Sequence, residues 1–198
     1  MSRRPLLPLA VAALVLALGA GCAKDVSPAA RIGGTKISDT ELIDEVGEWA
    51  HNEAAFDQEQ LKGLNPGTYP MELVNVILQQ RIDLDLHNQE FDRLELKLTD
   101  DARAAAVTSL FQGDTALAQQ ALGGFTKDYA TTYVDDIARQ FAVEQTLGQQ
   151  GYIAWRNKAY TDADVEVSAR YGHWDPKAQA VVAPEGPTAA SSGLVVQP

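Results

Sequence analysis

A single cysteine, at position 22, occurs in the whole chain. No internal disulfide can form, so an exported domain of this sequence must hold together by its core alone. Basic residues are scarce as well: 16 Lys and Arg stand against 27 Asp and Glu, for a formal net charge of −11. An acidic chain repels DNA, RNA and anionic lipid, so no nucleic-acid partner is expected. Only three histidines are present, His51, His87 and His173. Glycine-rich phosphate loops are missing, and Ser109, Ser168, Ser191 and Ser192 lie outside any nucleophile motif. Asp135 and Asp136 are adjacent, so on a helix they point apart and do not form a catalytic carboxylate pair. Asp83, His87 and Glu90 fall on one helical face, a spacing that suits a divalent metal but equally suits a solvated face. No catalytic residue, metal or cofactor is assigned, and the chain is not expected to be an enzyme.

Long apolar runs are missing too, except at the start. Arg3 and Arg4 precede an apolar stretch from Leu6 to Leu18, and small residues lead to Cys22. That is the anatomy of a secretory signal peptide, expected over 1–21. The stretch is shorter than the ~20 apolar residues a membrane span needs, and Pro5 and Pro8 interrupt its beginning. The segment "LGAGC" resembles a bacterial lipobox, with Gly19 where the usual leucine stands and Leu18 one place further out. The resemblance implies that Cys22 becomes the N-terminus and carries a diacylglyceryl group and an amide-linked acyl chain. A thiolate is the nucleophile such a transfer needs, and stable anchoring takes two chains or more at about 0.8 kcal/mol per buried methylene. The alternative is an ordinary signal peptide with an incidental cysteine. Residues 22–29 then form a short tether. Without Arg3 and Arg4 the chain carries 14 basic against 27 acidic residues, a charge near −13.

The remaining chain is rich in helix signals. "ARIGGTKI" is expected to be a hairpin turning at Gly33-Gly34, with Ile32 opposite Thr35, Ala30 opposite Ile37 and Arg31 opposite Lys36. Ser38 and Glu41 have capping-box spacing, and Leu42, Val46 and Trp49 recur at helical spacing, predicting a helix to about Gln58. "LNPGTYP" breaks it. From Met71 to Phe91 apolar residues occur at nearly all angles, predicting a central helix contacted on several sides. Thr99 with Asp100 and Asp101 reads as another N-terminal cap. Helices are expected over about 100–111 and 114–122, then from "TKDYATTYVDD" to near Gly148 or Gly151, with a short helix around 153–158. Val165, Val167, Ala169 and Tyr171 alternate with polar residues, the period of a strand. Placed beside the hairpin, that strand brings Asp164 and Glu166 near Arg31 and Lys36. "AVVAP" at 180–184 is a candidate return strand, and 185–198 lacks core residues and is expected to be disordered. About 150 residues from Ala29 to Pro184 suffice for one domain burying roughly two-thirds of its unfolded surface.

Residues "ARIGGTKISDTEL", "VNVILQQRIDLDLHNQEF", "LELKLTDDA", "IARQFAVEQTL" and "YTDADVEVSARYGHWDP" together resemble the N-terminal domain of SurA-like chaperones, of the trigger factor/SurA/PrsA type, in actinobacterial lipoproteins. The resemblance spans most of residues 29–184. It implies a mainly α, SurA-N-like domain over 30–184; the strand period and the charge match predict that the N-terminal hairpin and the C-terminal strand close it in a small antiparallel sheet. The resemblance also implies an extracytoplasmic chaperone module that cradles unfolded or exported polypeptides without covalent chemistry. Many relatives carry a parvulin domain of about 90 residues after this module. Here 23 residues follow Asp175, so no isomerase site residue carries over. The expected function is a holdase or folding factor, lipid-anchored at the outer face of the cytoplasmic membrane. The alternatives are a degenerate prolyl isomerase and a scaffold with one dedicated envelope partner. Client-binding residues and oligomeric state stay open; Trp49, Phe56, Tyr152, Trp155 and Trp174 are read as core packing or as lining for a client groove.

Overall fold

A computed structural model describes residues 28–62, 64–65 and 67–184. Two strands open it, β1 (Ala30–Ile32) and β2 (Thr35–Ile37). They pair in the expected antiparallel register, Ala30 opposite Ile37 and Ile32 opposite Thr35. Gly33 takes φ 57° in the turn, a conformation that costs a glycine little. Ser38 and Glu41 then form the full capping box, with Glu41 N–H donating to Ser38 Oγ at 3.1 Å and Ser38 N–H to Glu41 Oε2 at 2.9 Å. They start α1 (Asp39–His51), which buries Leu42, Val46 and Ala50.

The first helix stops seven residues short of the expected Gln58. Asn52 is the cause. Its side chain accepts from Ala54 N–H at 3.1 Å and donates to the Ala121 carbonyl at 2.8 Å, offering the backbone a turn in place of another helical bond. A short 3-10 turn (Gln58–Leu61) follows.

Helix α2 (Met71–Arg93) is the central element, burying Leu73, Val74, Ile77, Leu78, Ile82, Leu84, Leu86 and Phe91. Helix α3 (Asp100–Leu110) begins at the expected cap, where Thr99 accepts from Ala102 N–H at 3.2 Å. It and α4 (Thr115–Gly123) bury mainly Ala106 and Ala118, so they lie at the periphery. Helix α5 (Lys127–Asp162) packs against both α2 and α3. As expected, its helical path breaks at Gly148, which takes the non-helical φ 65° and ψ 168°. The helical segment beyond the break runs on to Asp162 and is longer than the short helix expected around 153–158.

Strand β3 (Val165–Val167) returns to the first hairpin, giving the order β2-β1-β3. Ile32 faces Val165, Ala30 faces Val167, and Arg31 faces Glu166. The opposed charges on the outer face offset the Arg31–Lys36 repulsion, as expected. The strand is shorter than the alternation predicts: a turn follows, held by Tyr171 N–H donating to the Ser168 carbonyl at 2.8 Å, and Tyr171 stays buried through that turn. Strands β4 (His173–Asp175) and β5 (Ala180–Val182) form a second hairpin. Gln79 on α2 ties it down, its Oε1 accepting from Val181 N–H at 2.7 Å. The fold is thus mainly α with small antiparallel sheets, and the two chain ends meet in one of them. The expected signal peptide, tether and tail lie outside the described residues, apart from Pro28 and Ala29.

Two substitutions test this closure. Ile32 is 1% exposed and belongs to the one continuous core cluster. Ile32→Ala is expected to cost about 3 kcal/mol in urea denaturation; a loss below about 1 kcal/mol contradicts its role. Gly172 has φ 122°, and a Cβ there would stand 2.0 Å from the Val182 carbonyl oxygen. Gly172→Ala is expected to lower the melting temperature by several degrees, at about 1–3 kcal/mol.

Candidate functional site: an α2/α5 groove beside buried polar layers

The sequence places Asp83, His87 and Glu90 on a face that could meet water or a metal. The structure buries His87 and Glu90 instead and leaves Asp83 half-buried. His87 is 0% exposed, and Glu90 is buried in a bidentate pair with Arg93 at 2.6 and 2.7 Å. His87 Nδ1–H donates to the Asp83 carbonyl at 2.7 Å, and Nε2 accepts from the Tyr152 hydroxyl at 2.9 Å. Both ring nitrogens are therefore used by protein groups. Burial lowers the His87 pKa, opposed by the Asp83 backbone and side chain; burial likewise raises the Asp83 carboxyl. Among the described residues no group of three or more His, Cys, Asp and Glu is placed to hold a metal ion.

Asp135 and Asp136 point apart, as expected. Asp135 pairs with Arg103 at 2.6 Å. Asp136 accepts from Arg139 at 2.9 Å and Asn88 at 3.0 Å, with Arg81 at 3.8 Å. Arg81 also lies 3.7 Å from Asp85, whose carboxyl burial pushes up against the pull of Arg81. Ser109 is exposed on α3, and Ser168 spends its backbone N–H on the Ala29 carbonyl at 2.9 Å. Cys22, Ser191 and Ser192 lie outside the described residues.

Beyond the end of this polar layer, α2 and α5 leave an open groove of about 510 Å³. Leu147, Ala154, Trp155 and Ala159 of α5 supply its apolar lining. Glu90 and Arg93 form one rim, Lys158 and Asp162 the other. Helical spacing accounts for part of the lining, since Trp155 and Ala159 are one turn apart. Of the aromatics singled out in the sequence, Trp155 alone lines this groove. Tyr152 packs behind it on His87, Trp174 lies tilted against Tyr160 with centroids 6.2 Å apart, and Phe56 packs on the core.

Trp49 does something that the sequence did not suggest. It meets Phe125 and Tyr133 edge-on, and its Nε1–H donates to the Tyr129 hydroxyl at 2.7 Å. Tyr129 in turn donates to Glu45 Oε1 at 2.9 Å. One turn on, Glu48 accepts from Thr126 N–H at 2.8 Å and Thr126 Oγ at 2.6 Å, capping α5 from a helix 78 positions away. Together α1, Arg81 and the start of α5 line an acidic cleft of about 430 Å³. These contacts join residues far apart in sequence, so no local pattern could reveal them.

The arrangement offers apolar contact framed by charge and holds no nucleophile paired with a base at the groove. Among the described residues, no helix is long and apolar enough to cross a membrane. No family model matches the chain, and neither the curated proteins nor the solved structures contain a match.

Glu45 supplies a test of the cleft. Burial raises its carboxyl pKa, against the pull of Arg81 and the Tyr129 bond. A carboxyl raised in the folded state favours folding while protonated and loses that advantage as pH rises through its folded pKa. Glu45→Gln keeps an acceptor for Tyr129. It is expected to raise stability at pH 7, with the gain vanishing near pH 4; chemical denaturation at both pH values checks it.

Proposed function

We propose that this protein is a lipid-anchored, extracytoplasmic holdase or folding factor that binds unfolded or exported polypeptides without covalent chemistry. The single observation that carries the reading is the open groove between α2 and α5, with Trp155, Leu147, Ala154 and Ala159 available to an apolar client segment. The mainly helical fold agrees with the reading, because a mainly helical domain is what the resemblance to SurA-like N-terminal domains implies. The charged rims give client segments polar edges and keep the groove from collapsing onto a second apolar surface. The acidic surface favours basic clients and limits self-association. Cys22 would carry the lipid, holding the domain within reach of chains emerging from the membrane.

The defined acidic cleft under α1 favours a second reading, a scaffold for one dedicated envelope partner with a basic contact. Recovery of one stoichiometric partner would favour the scaffold, and a broad set of exported proteins the holdase.

An aggregation assay with an unfolding client tests the holdase. Suppression at a few-fold molar excess is expected. Ala154→Glu, at an exposed groove position, should cut it several-fold, while Val76→Glu, 62% exposed on α2 and outside the groove lining, should not. No suppression, or equal effects of both substitutions, contradicts the reading. The anchor is tested separately: Cys22→Ser should move the protein from the membrane fraction to the soluble one, and mass spectrometry should find acyl mass on the wild-type N-terminus.

A further inference from the structure

Between the bend at Gly148 and Tyr160, which is fully buried, α5 is thinly attached. Gln149, Gln150, Gly151, Ile153, Ala154, Arg156, Asn157 and Lys158 are all exposed. Tyr152 and Trp155 are the two large half-buried side chains that hold this stretch down. Both rest on the same group: the Trp155 ring meets the His87 imidazole at 4.8 Å edge-on, and Tyr152 lies at 5.8 Å with its hydroxyl bonded to Nε2. One imidazole on α2 is thus the common seat of both anchors.

That seat accepts only one protonation state comfortably. With Nδ1–H committed to the Asp83 carbonyl, Nε2 must be the acceptor for the Tyr152 hydroxyl. A proton on Nε2 makes the Tyr152 hydroxyl turn from donor to acceptor and places a cation where nothing of the ring is open to water. The charged groups around it come from both helices. On α2 the Asp83 carboxylate lies 3.8 Å from Nδ1 and favours the cation. On α5 Glu144 also favours it, whereas Arg156 opposes it. Burial is the largest influence and outweighs the two acids.

The bend supplies the freedom to respond. Gly148 has φ 65°, yet a Cβ there would meet nothing within 4 Å. The glycine therefore serves the backbone conformation and not a close contact. A break in helical bonding next to a sparsely packed stretch is where local opening costs least.

We propose that His87 is a proton-operated latch: protonation of its ring releases the Tyr152–Trp155 stretch of α5 from α2, with Gly148 as the hinge. The closed form holds a neutral imidazole, and the released form exposes an ordinary one, with a pKa of about 6.5. Closure is then favoured above that pH and weakens about tenfold per unit below it, for as long as the closed ring stays neutral. Release separates Trp155 from α2 and widens the groove. This inference stands whatever the groove binds.

Hydrogen exchange on the full chain at pH 7 and pH 5 tests it, with protection factors corrected for intrinsic rates. Protection across 149–158, relative to 77–82 of α2, should fall in the wild type, with roughly 25-fold as the linkage ceiling for a closed ring that stays neutral. In His87→Gln, which cannot take up the proton, the fall should be less than about twofold on the same linkage argument. Equal losses in both, or no loss in the wild type, overturn the latch. If His87→Gln does not fold, nitrogen NMR of wild-type His87 decides. Loss of the His87–Trp155 ring contact in step with protonation supports the proposal, and a protonated ring with that contact intact overturns it.

Discussion

The pairing of β1 with β3 is the constraint on which the rest depends. It joins residues about 135 positions apart through three cross-strand pairs, Ala30–Val167, Arg31–Glu166 and Ile32–Val165. Closing so long a loop is entropically costly, and a three-residue ladder cannot offset that alone. Burial must supply the balance. Ala29, Ala30, Ile32 and Ile37 are all nearly inaccessible, and they sit in the same cluster as Leu42, Val46, Ile77, Leu78 and Tyr160. The sheet is therefore less a separate layer than the rim of the helical core. It sets where α1 starts, through Ser38, and where α5 ends, through the β3 return.

From that rim the molecule changes character along α2. Its first half is apolar and packed under α1 and the second hairpin. Its second half carries Asp85, His87 and Glu90 into the interior, each with partners: Arg81, Tyr152 with the Asp83 carbonyl, and Arg93. Breaking a buried polar contact leaves an uncompensated group, so such layers hold geometry more than they add stability. Asp85 Oδ2 and Asn88 Oδ1 have no protein partner here, which marks this end of α2 as the less completely satisfied. The open groove begins where this layer ends, with Glu90 and Arg93 as its α2 rim.

Local chemistry made much of this legible. The capping box at Ser38 and Glu41, the cap at Thr99, the hairpin register around Gly33 and the period-two run at Val165 and Val167 each act within a few residues, and the structure forms each of them as the sequence predicts. Readings that depended on distant partners failed. Asn52 ends α1 because it reaches the Ala121 carbonyl, and Gly124 allows that approach: a Cβ there would stand 2.2 Å from Asn52 Oδ1. At Gly148 the glycine signal holds and the helical path breaks there; only the length of the segment beyond it, which reaches Asp162, exceeds what the local pattern predicts. The spacing of His87 with Asp83 and Glu90 matches a polar stripe that water could reach; only the position of Tyr152 and Trp155 reveals it as interior. The groove was invisible for the same reason, being made by two helices that meet in space. Of the proposed function, the lipid anchor at Cys22 rests on the sequence, and the proposed client groove rests on the lining that α2 and α5 bring together.

Native-state hydrogen exchange at the amides of Gly33 and Ser168 tests the central claim most directly. Gly33 N–H donates to the Asp164 carbonyl and Ser168 N–H to the Ala29 carbonyl, both at 2.9 Å, so they bracket the β1–β3 contact. If that contact closes the fold, both amides exchange only through global unfolding, with the same free energy as core amides of α2 such as Ile77 and Ile82. Exchange at the rate of a fraying terminus, while α2 stays protected, would show that the helical core stands without its rim and would contradict this account.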